Sequence, residues 1–180
     1  GDKKTEGQNL GNLGNIYQEL GQYQQSITHY KQAVEIASEI GNKRIEGIFL
    51  GNLGDVLIKL EKWVAAKQHL SKAIEICKAT SSVGAGAFSG SLAWVLSQQG
   101  NLEKALQTLI EGEQLVEVMP PEHGKFLCKK AKILHIATQP NKAKEALSKA
   151  KAIAEELKST KDSELGKAIT QTEKFLSSPP

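Results

Sequence analysis

An eleven-residue string returns 40 residues after its first appearance, and that recurrence constrains the fold more than any other feature. Glu6–Ile16 and Glu46–Val56 share seven of eleven positions: both contain the Glu-Gly start and the Leu-Gly-Asn-Leu-Gly core. The register continues, pairing Tyr17 with Leu57, Tyr23 with Trp63, Tyr30 with Leu70 and Ala33 with Ala73. A third copy runs through Leu92, Ala93, Leu96, Gly100, Leu102, Ala105 and Leu109. A fourth, more degraded, keeps Leu127, Ala131, Leu134, Ala143, Leu147 and Ala150. Within each copy the apolar residues recur every three or four positions, which is a helical period. Gly21, Gly100 and the Gln139-Pro140 pair split the copies into two helices each. One such pair cannot bury its apolar face alone, so successive pairs must stack.

Small residues fall where two helices approach closely: Gly14, Gly54, Ala93 and Ala131 on the first helix of each copy, and Ala33, Ala73 and Ala150 on the second. The pattern predicts helices over 3–20 and 22–40, 43–60 and 62–79, 83–99 and 102–117, 121–137 and 141–157. Pro121 suits the first position of a helix. A ninth helix over 162–176, carrying Leu165, Ala168, Ile169 and Thr172 on one side, would cap the stack, and Ser177–Pro180 would fray.

The motif Leu10-x-x-Leu13-Gly14-x-x-Tyr17, followed by Gly21, Tyr23, Ser26, Tyr30 and Ala33, resembles the tetratricopeptide repeat in its long form of about 40 residues. Leu50, Leu53, Gly54, Leu57, Trp63, Ala66, Leu70 and Ala73 repeat it. Such long repeats are similar to those of kinesin light chains and of bacterial multidomain signalling proteins. The resemblance implies an all-α fold, a right-handed superhelical solenoid of four antiparallel helix pairs plus a C-terminal capping helix, with residues 1–180 forming one domain. The repeats would lie at about 3–40, 43–79, 83–117 and 121–157.

The resemblance also implies a function: a non-enzymatic scaffold that binds an extended peptide or partner segment on the concave face, lined by the first helix of each pair. Positions on those helices not used for packing are Gln8, Gly11, Asn12, Asn15 and Gln18; Ile48, Gly51, Asn52, Asp55 and Ile58; Ala87, Gly90, Ser91 and Trp94; and Lys125, Cys128, Lys129, Lys132 and His135. Asn12 and Asn52 are equivalent, and an amide can pair with both the N–H and the C=O of an extended chain. In the later repeats Ser91 and Lys129 hold that place. Gly11, Gly51 and Gly90 would leave room for a backbone to approach. Trp94, aligned with Asn15 and Asp55, would anchor a ligand side chain. Lys125, Lys129 and Lys132 would attract an acidic group. A subset of the family clamps a terminal carboxylate with lysines, asparagines and an arginine. Here Gly11, Ala87 and Ser91 replace its basic residues and only Asn15 and Asn52 match, which argues against chaperone-tail binding.

Other classes are disfavoured. Apolar residues make up 39% and charged residues 24%, as in a folded soluble domain. Aromatics are only 5%, which favours helices over sheets. No uncharged run approaches the ~18 apolar residues of a membrane span, and no signal-peptide pattern opens the chain. It starts at Gly1 rather than Met, so a piece of a longer protein is expected, which the resemblance implies to be a cytoplasmic bacterial signalling protein. Cys77 and Cys128 are too few for a disulfide scaffold and read as free thiols in a reducing compartment. His29, His69, His123 and His135 are scattered, so no metal site, cofactor or catalytic group is expected. Gly84–Gly90 mimics a dinucleotide loop, but its spacing is wrong by one and no strand precedes it; its small residues would relax packing between repeats two and three. Residues 124–180 carry 12 Lys against 6 acids, net +6, while the first 123 carry net −3. Acids at helical spacing among those lysines argue against nucleic-acid binding. The remaining alternative is self-association into a homodimer, through Ile48, Phe49, Phe88 or the convex face.

Overall fold

The computed structural model describes residues 2–178, so Gly1 and the predicted tail residues Pro179 and Pro180 lie outside it. Among the described residues there are nine helices and no strand: α1 Lys3–Glu19, α2 Tyr23–Glu39, α3 Lys43–Lys59, α4 Trp63–Thr80, α5 Ser82–Gln98, α6 Leu102–Val116, α7 Pro120–Ile136, α8 Pro140–Glu156 and α9 Glu164–Leu176. The architecture is an all-α helical solenoid.

Local chemistry sets the helix starts. The side chains of Asp2, Asn42, Ser81, Asn101 and Ser163 each accept a hydrogen bond from a backbone N–H two or three residues on. Such caps are worth about 1 kcal/mol. Ser163 explains why α9 begins two residues later than the periodicity suggests. Proline fixes two other starts: Pro120, rather than Pro121, opens α7, and Pro140 opens α8 one residue before the expected start. The turns inside the first and third pairs use Gly21 and Gly100 at positive φ, while Glu61 takes the same left-handed conformation in the second pair.

Two kinds of contact hold the stack. Within a pair, a small residue on the first helix receives a large one from the second. A Cβ added at Gly14 would lie 2.7 Å from the Tyr30 ring, and one at Gly54 would lie 2.6 Å from Leu70. Between pairs, each first helix projects a phenylalanine into the hollow at a glycine on the preceding first helix. Phe49 fills the hollow at Gly11, Phe88 that at Gly51 and Phe126 that at Gly90; a Cβ would lie 2.1, 2.1 and 2.8 Å from the rings. At the last joint the pattern shifts by one turn, and Leu165 of α9 packs on Gly124.

Helices in sequence order pack on one another from α1 to α9. First helices also meet directly, α3 with α5, α5 with α7 and α7 with α9, whereas no comparable contact joins α2 with α4, α4 with α6 or α6 with α8. Within the Gly84–Gly90 stretch, Gly86 lets α5 approach α6 of the same repeat closely: a Cβ there would lie 2.6 Å from the Gly112 carbonyl oxygen.

Candidate functional site

The first helices carry the predicted ligand face, and the structure divides it into two halves. On α1 and α3, Gln8, Asn12 and Asn15 are exposed, and Asn52 and Asp55 are half-buried. Tyr30, buried on α2, donates its hydroxyl to Asn15 Oδ1 and lies 3.2 Å from Gln18 Oε1. Asn52 Nδ2 donates to the same Asn15 oxygen across the joint, at 3.4 Å. One amide oxygen therefore ties α2 and α3 to α1. Burial, reinforced by the Asp55 carboxylate, pushes the Tyr30 hydroxyl pKa well above the ordinary phenol value, so it stays a donor.

The glycines do not open this face. The space at Gly11, Gly51 and Gly90 is filled by Phe49, Phe88 and Phe126, so no ligand backbone enters there. For the same reason Phe49 and Phe88 are buried and cannot mediate self-association. Ser91 is likewise not a surface residue: it is 0% exposed, and its hydroxyl accepts from Lys129 Nζ at 2.6 Å.

The second half, on α5 and α7, meets α9. Lys125 pairs with Glu122 at 2.8 Å and with Glu164 of α9 at 2.6 Å. Burial disfavours its charge, but the two carboxylates outweigh this and hold its pKa above the ordinary lysine value. That lysine is committed to the fold. Among the described residues Lys129 and Lys132 form no ion pair. Burial lowers the Lys132 pKa, with Lys59 and Lys129 adding repulsion. Trp94 meets Phe175 of α9 edge to face, with ring centroids 5.8 Å apart. His135 meets the same ring at 5.8 Å, Lys132 Nζ lies 6.0 Å from its centroid, and His135 Nε2 lies 2.9 Å from the Ser178 carbonyl oxygen. Sequence reasoning put Trp94, Lys132 and His135 on one face but did not foresee that α9 reaches them.

Tertiary structure also gives two histidines neighbours that sequence spacing could not reveal. His29 stacks on Tyr17 with centroids 5.1 Å apart. His123 lies 3.4 Å from Glu113, and the ligand atoms of Glu113, Glu117 and His123 fall within 4.8 Å of one another. Lys130 already pairs with Glu113, so a cation would have to displace an ammonium group. A cleft of about 320 Å³ between α6, α7 and α8 has a floor of Leu109, Leu127 and Leu134 and includes Lys130, Lys142 and Lys149. It shares none of the predicted ligand-face residues. Cys77 and Cys128 are buried free thiols whose pKa burial raises.

A tetratricopeptide-repeat family model matches residues 6–79. Those residues are tetratricopeptide repeats. The two matched repeats hold the Gly11–Phe49 joint and the Asn15–Asn52–Tyr30 cluster. A solved structure, BtubC (BKLC) from P. vanneervenii, superposes with a TM-score of 0.70 at 15% sequence identity, covering 88% of this chain and 67% of that one. At that identity the likeness speaks for the fold, which extends the tetratricopeptide-like arrangement beyond the matched repeats. A comparison with curated proteins gives no match. Tetratricopeptide repeats generally mediate protein–protein interaction. Among the described residues no helix is long and apolar enough to cross a membrane.

Proposed function

We propose that the chain, as a single domain, is a non-catalytic scaffold that holds an extended partner segment against its first helices. Its setting would be a larger bacterial signalling or regulatory protein in the cytoplasm. That parentage rests on the resemblance of the long repeats, and the buried free thiols fit a reducing compartment. The observation that carries the binding reading is the one-sided contact pattern. From α3 onward first helices touch one another while second helices stand apart, which curves a stack toward the first-helix side. The exposed amides of Asn12 and Asn15, with Asn52 beside them, supply donors and acceptors for a strand-like segment. Lys129 and Lys132 supply positive charge for an acidic group on it.

A peptide-array screen repeated on the Asn52→Ala plus Trp94→Ala double variant tests this. Binding lost with helicity intact supports the assignment; binding unchanged removes the ligand from this face. One observation favours a second reading, self-association. Leu13, Ile16 and Leu20 form an exposed apolar stripe on α1. Light scattering across concentration, with Ile16→Lys as control, decides it: a mass that rises only in the parent chain would put the contact there.

A further inference from the structure

α9 does two different things along its length. In its first two turns Leu165 packs on Gly124 and Ala168 and Ile169 pack on the last pair, and this seals the exposed end of the stack. Its last turn does something a cap does not require. Phe175 passes beyond α7 to Trp94, which lies on α5, one repeat further back.

The ring is held there from three sides. Trp94 and His135 both present edge-to-face geometry, with interplanar angles of 72°, and the Lys132 ammonium lies above it. These are the contacts by which a protein recognises an aromatic side chain. The ring is nevertheless only half-buried, and beyond it Ser178 bonds back to the Phe175 carbonyl and to His135. The residues that hold the ring come from the ligand face of two successive first helices, not from the apolar core of the last pair. Among the described residues no carboxylate pairs with Lys132, and its ammonium lies over that ring.

We propose that Trp94, Lys132 and His135 form a subsite for an aromatic side chain of the partner segment, and that Phe175 fills this subsite while the partner is absent. The inference rests on the scaffold reading above and deepens it. A partner must present an aromatic residue at this point and displace the last turn of α9, while the first turns keep the stack closed. The intramolecular occupant then lowers the apparent affinity by the fraction of time the subsite stands open.

The test uses the full chain and Phe175→Ala. In a Trp63→Phe background Trp94 is the sole tryptophan, and acrylamide quenching reads its exposure. Quenching is expected to rise when Phe175 is removed; unchanged quenching overturns the contact. Phe175→Leu, which keeps apolar bulk without the ring, guards against a general loosening of α9: its melting temperature should match the parent's while Trp94 exposure still rises. A phage-displayed random decapeptide library is then selected on Phe175→Ala. Selected peptides should share an aromatic residue, bind Phe175→Ala about tenfold tighter than the parent, and lose binding with Trp94→Ala, tenfold corresponding to a subsite open about one tenth of the time. Equal binding to parent and Phe175→Ala, still lost with Asn52→Ala plus Trp94→Ala, overturns self-occupancy and leaves the scaffold reading standing. Peptides indifferent to that double variant, or none at all, overturn both.

Discussion

At Gly51 two effects of a single methyl group oppose each other. Replacing a helix-interior glycine by alanine normally stabilises by about 1 kcal/mol, because the unfolded chain loses freedom. Here the new Cβ would sit 2.1 Å from the Phe88 ring, which is itself buried and cannot swing into solvent. Overpacking of this kind costs about 1–3 kcal/mol. The steric term wins, so Gly51→Ala should destabilise by up to about 2 kcal/mol in urea unfolding, the balance of the two effects. Phe88→Leu in the same chain should relieve part of that loss, because the two positions share one contact. A stabilised Gly51→Ala would mean that the ring yields freely and that the joint is loose. The same geometry explains a misreading at residue level. A glycine on a ligand face looks like an opening in the sequence, and what fills it lies nearly 40 residues away, on another helix.

The helices themselves were legible because two signals agreed: the apolar period and the turn residues. The observed ends depart from the expected ones by no more than two residues, and the largest departure falls where Ser163 supplies a stronger local signal than periodicity. What each helix face meets was less legible, and α1 shows the physical reason. Leu13 and Ile16 occupy the same repeat positions as Leu53 and Val56. On α3 that face packs under α2, and Leu53 and Val56 are 1% and 0% exposed. On α1 no described helix takes the part of α2, and Leu13 and Ile16 are 38% and 52% exposed. Identical sequence positions therefore carry different energies. Val56→Ala should cost about 1–3 kcal/mol and Ile16→Ala under about 1 kcal/mol, despite the larger side chain removed. Parallel denaturation curves check this. A large loss at Ile16 would reveal that its face is covered in solution, by a second copy or a further helix. Phe175 shows the other kind of limit. Its partners Trp94 and His135 come from two other repeats, so no local pattern around α9 could announce the contact.

At the scale of the whole array, stability is shared among joints, and three buried acids of very weak strength are spread along it. Tyr30 lies in the first repeat, Cys77 in the second and Cys128 in the fourth, and burial raises the pKa of all three. A raised folded pKa means the unfolded chain releases the proton first. The stabilisation is therefore complete below the unfolded values, about 8.5 for a thiol and 10 for a phenol, and is lost as pH climbs through them toward the folded values. The urea midpoint should stay level from pH 7 to about 8.5 and then fall. Cys77→Ala plus Cys128→Ala should remove the earlier part of that fall and leave the part belonging to Tyr30. A midpoint that rises above pH 9 would contradict the burial of these groups. The phenylalanine joints have a consequence of another sort. Each is a knob on the later repeat entering a socket on the earlier one, so the contact has a direction, like the head-to-tail interface of a filament confined within one molecule. Asn9 stands on α1 where Phe49 stands on α3, and Cys128 fills the socket position on α7. Between the first and the last of these joints a copy of residues 43–82 could be spliced in without altering either neighbouring joint. Reach along a bound segment would then lengthen by one repeat at a time, through gene duplication alone.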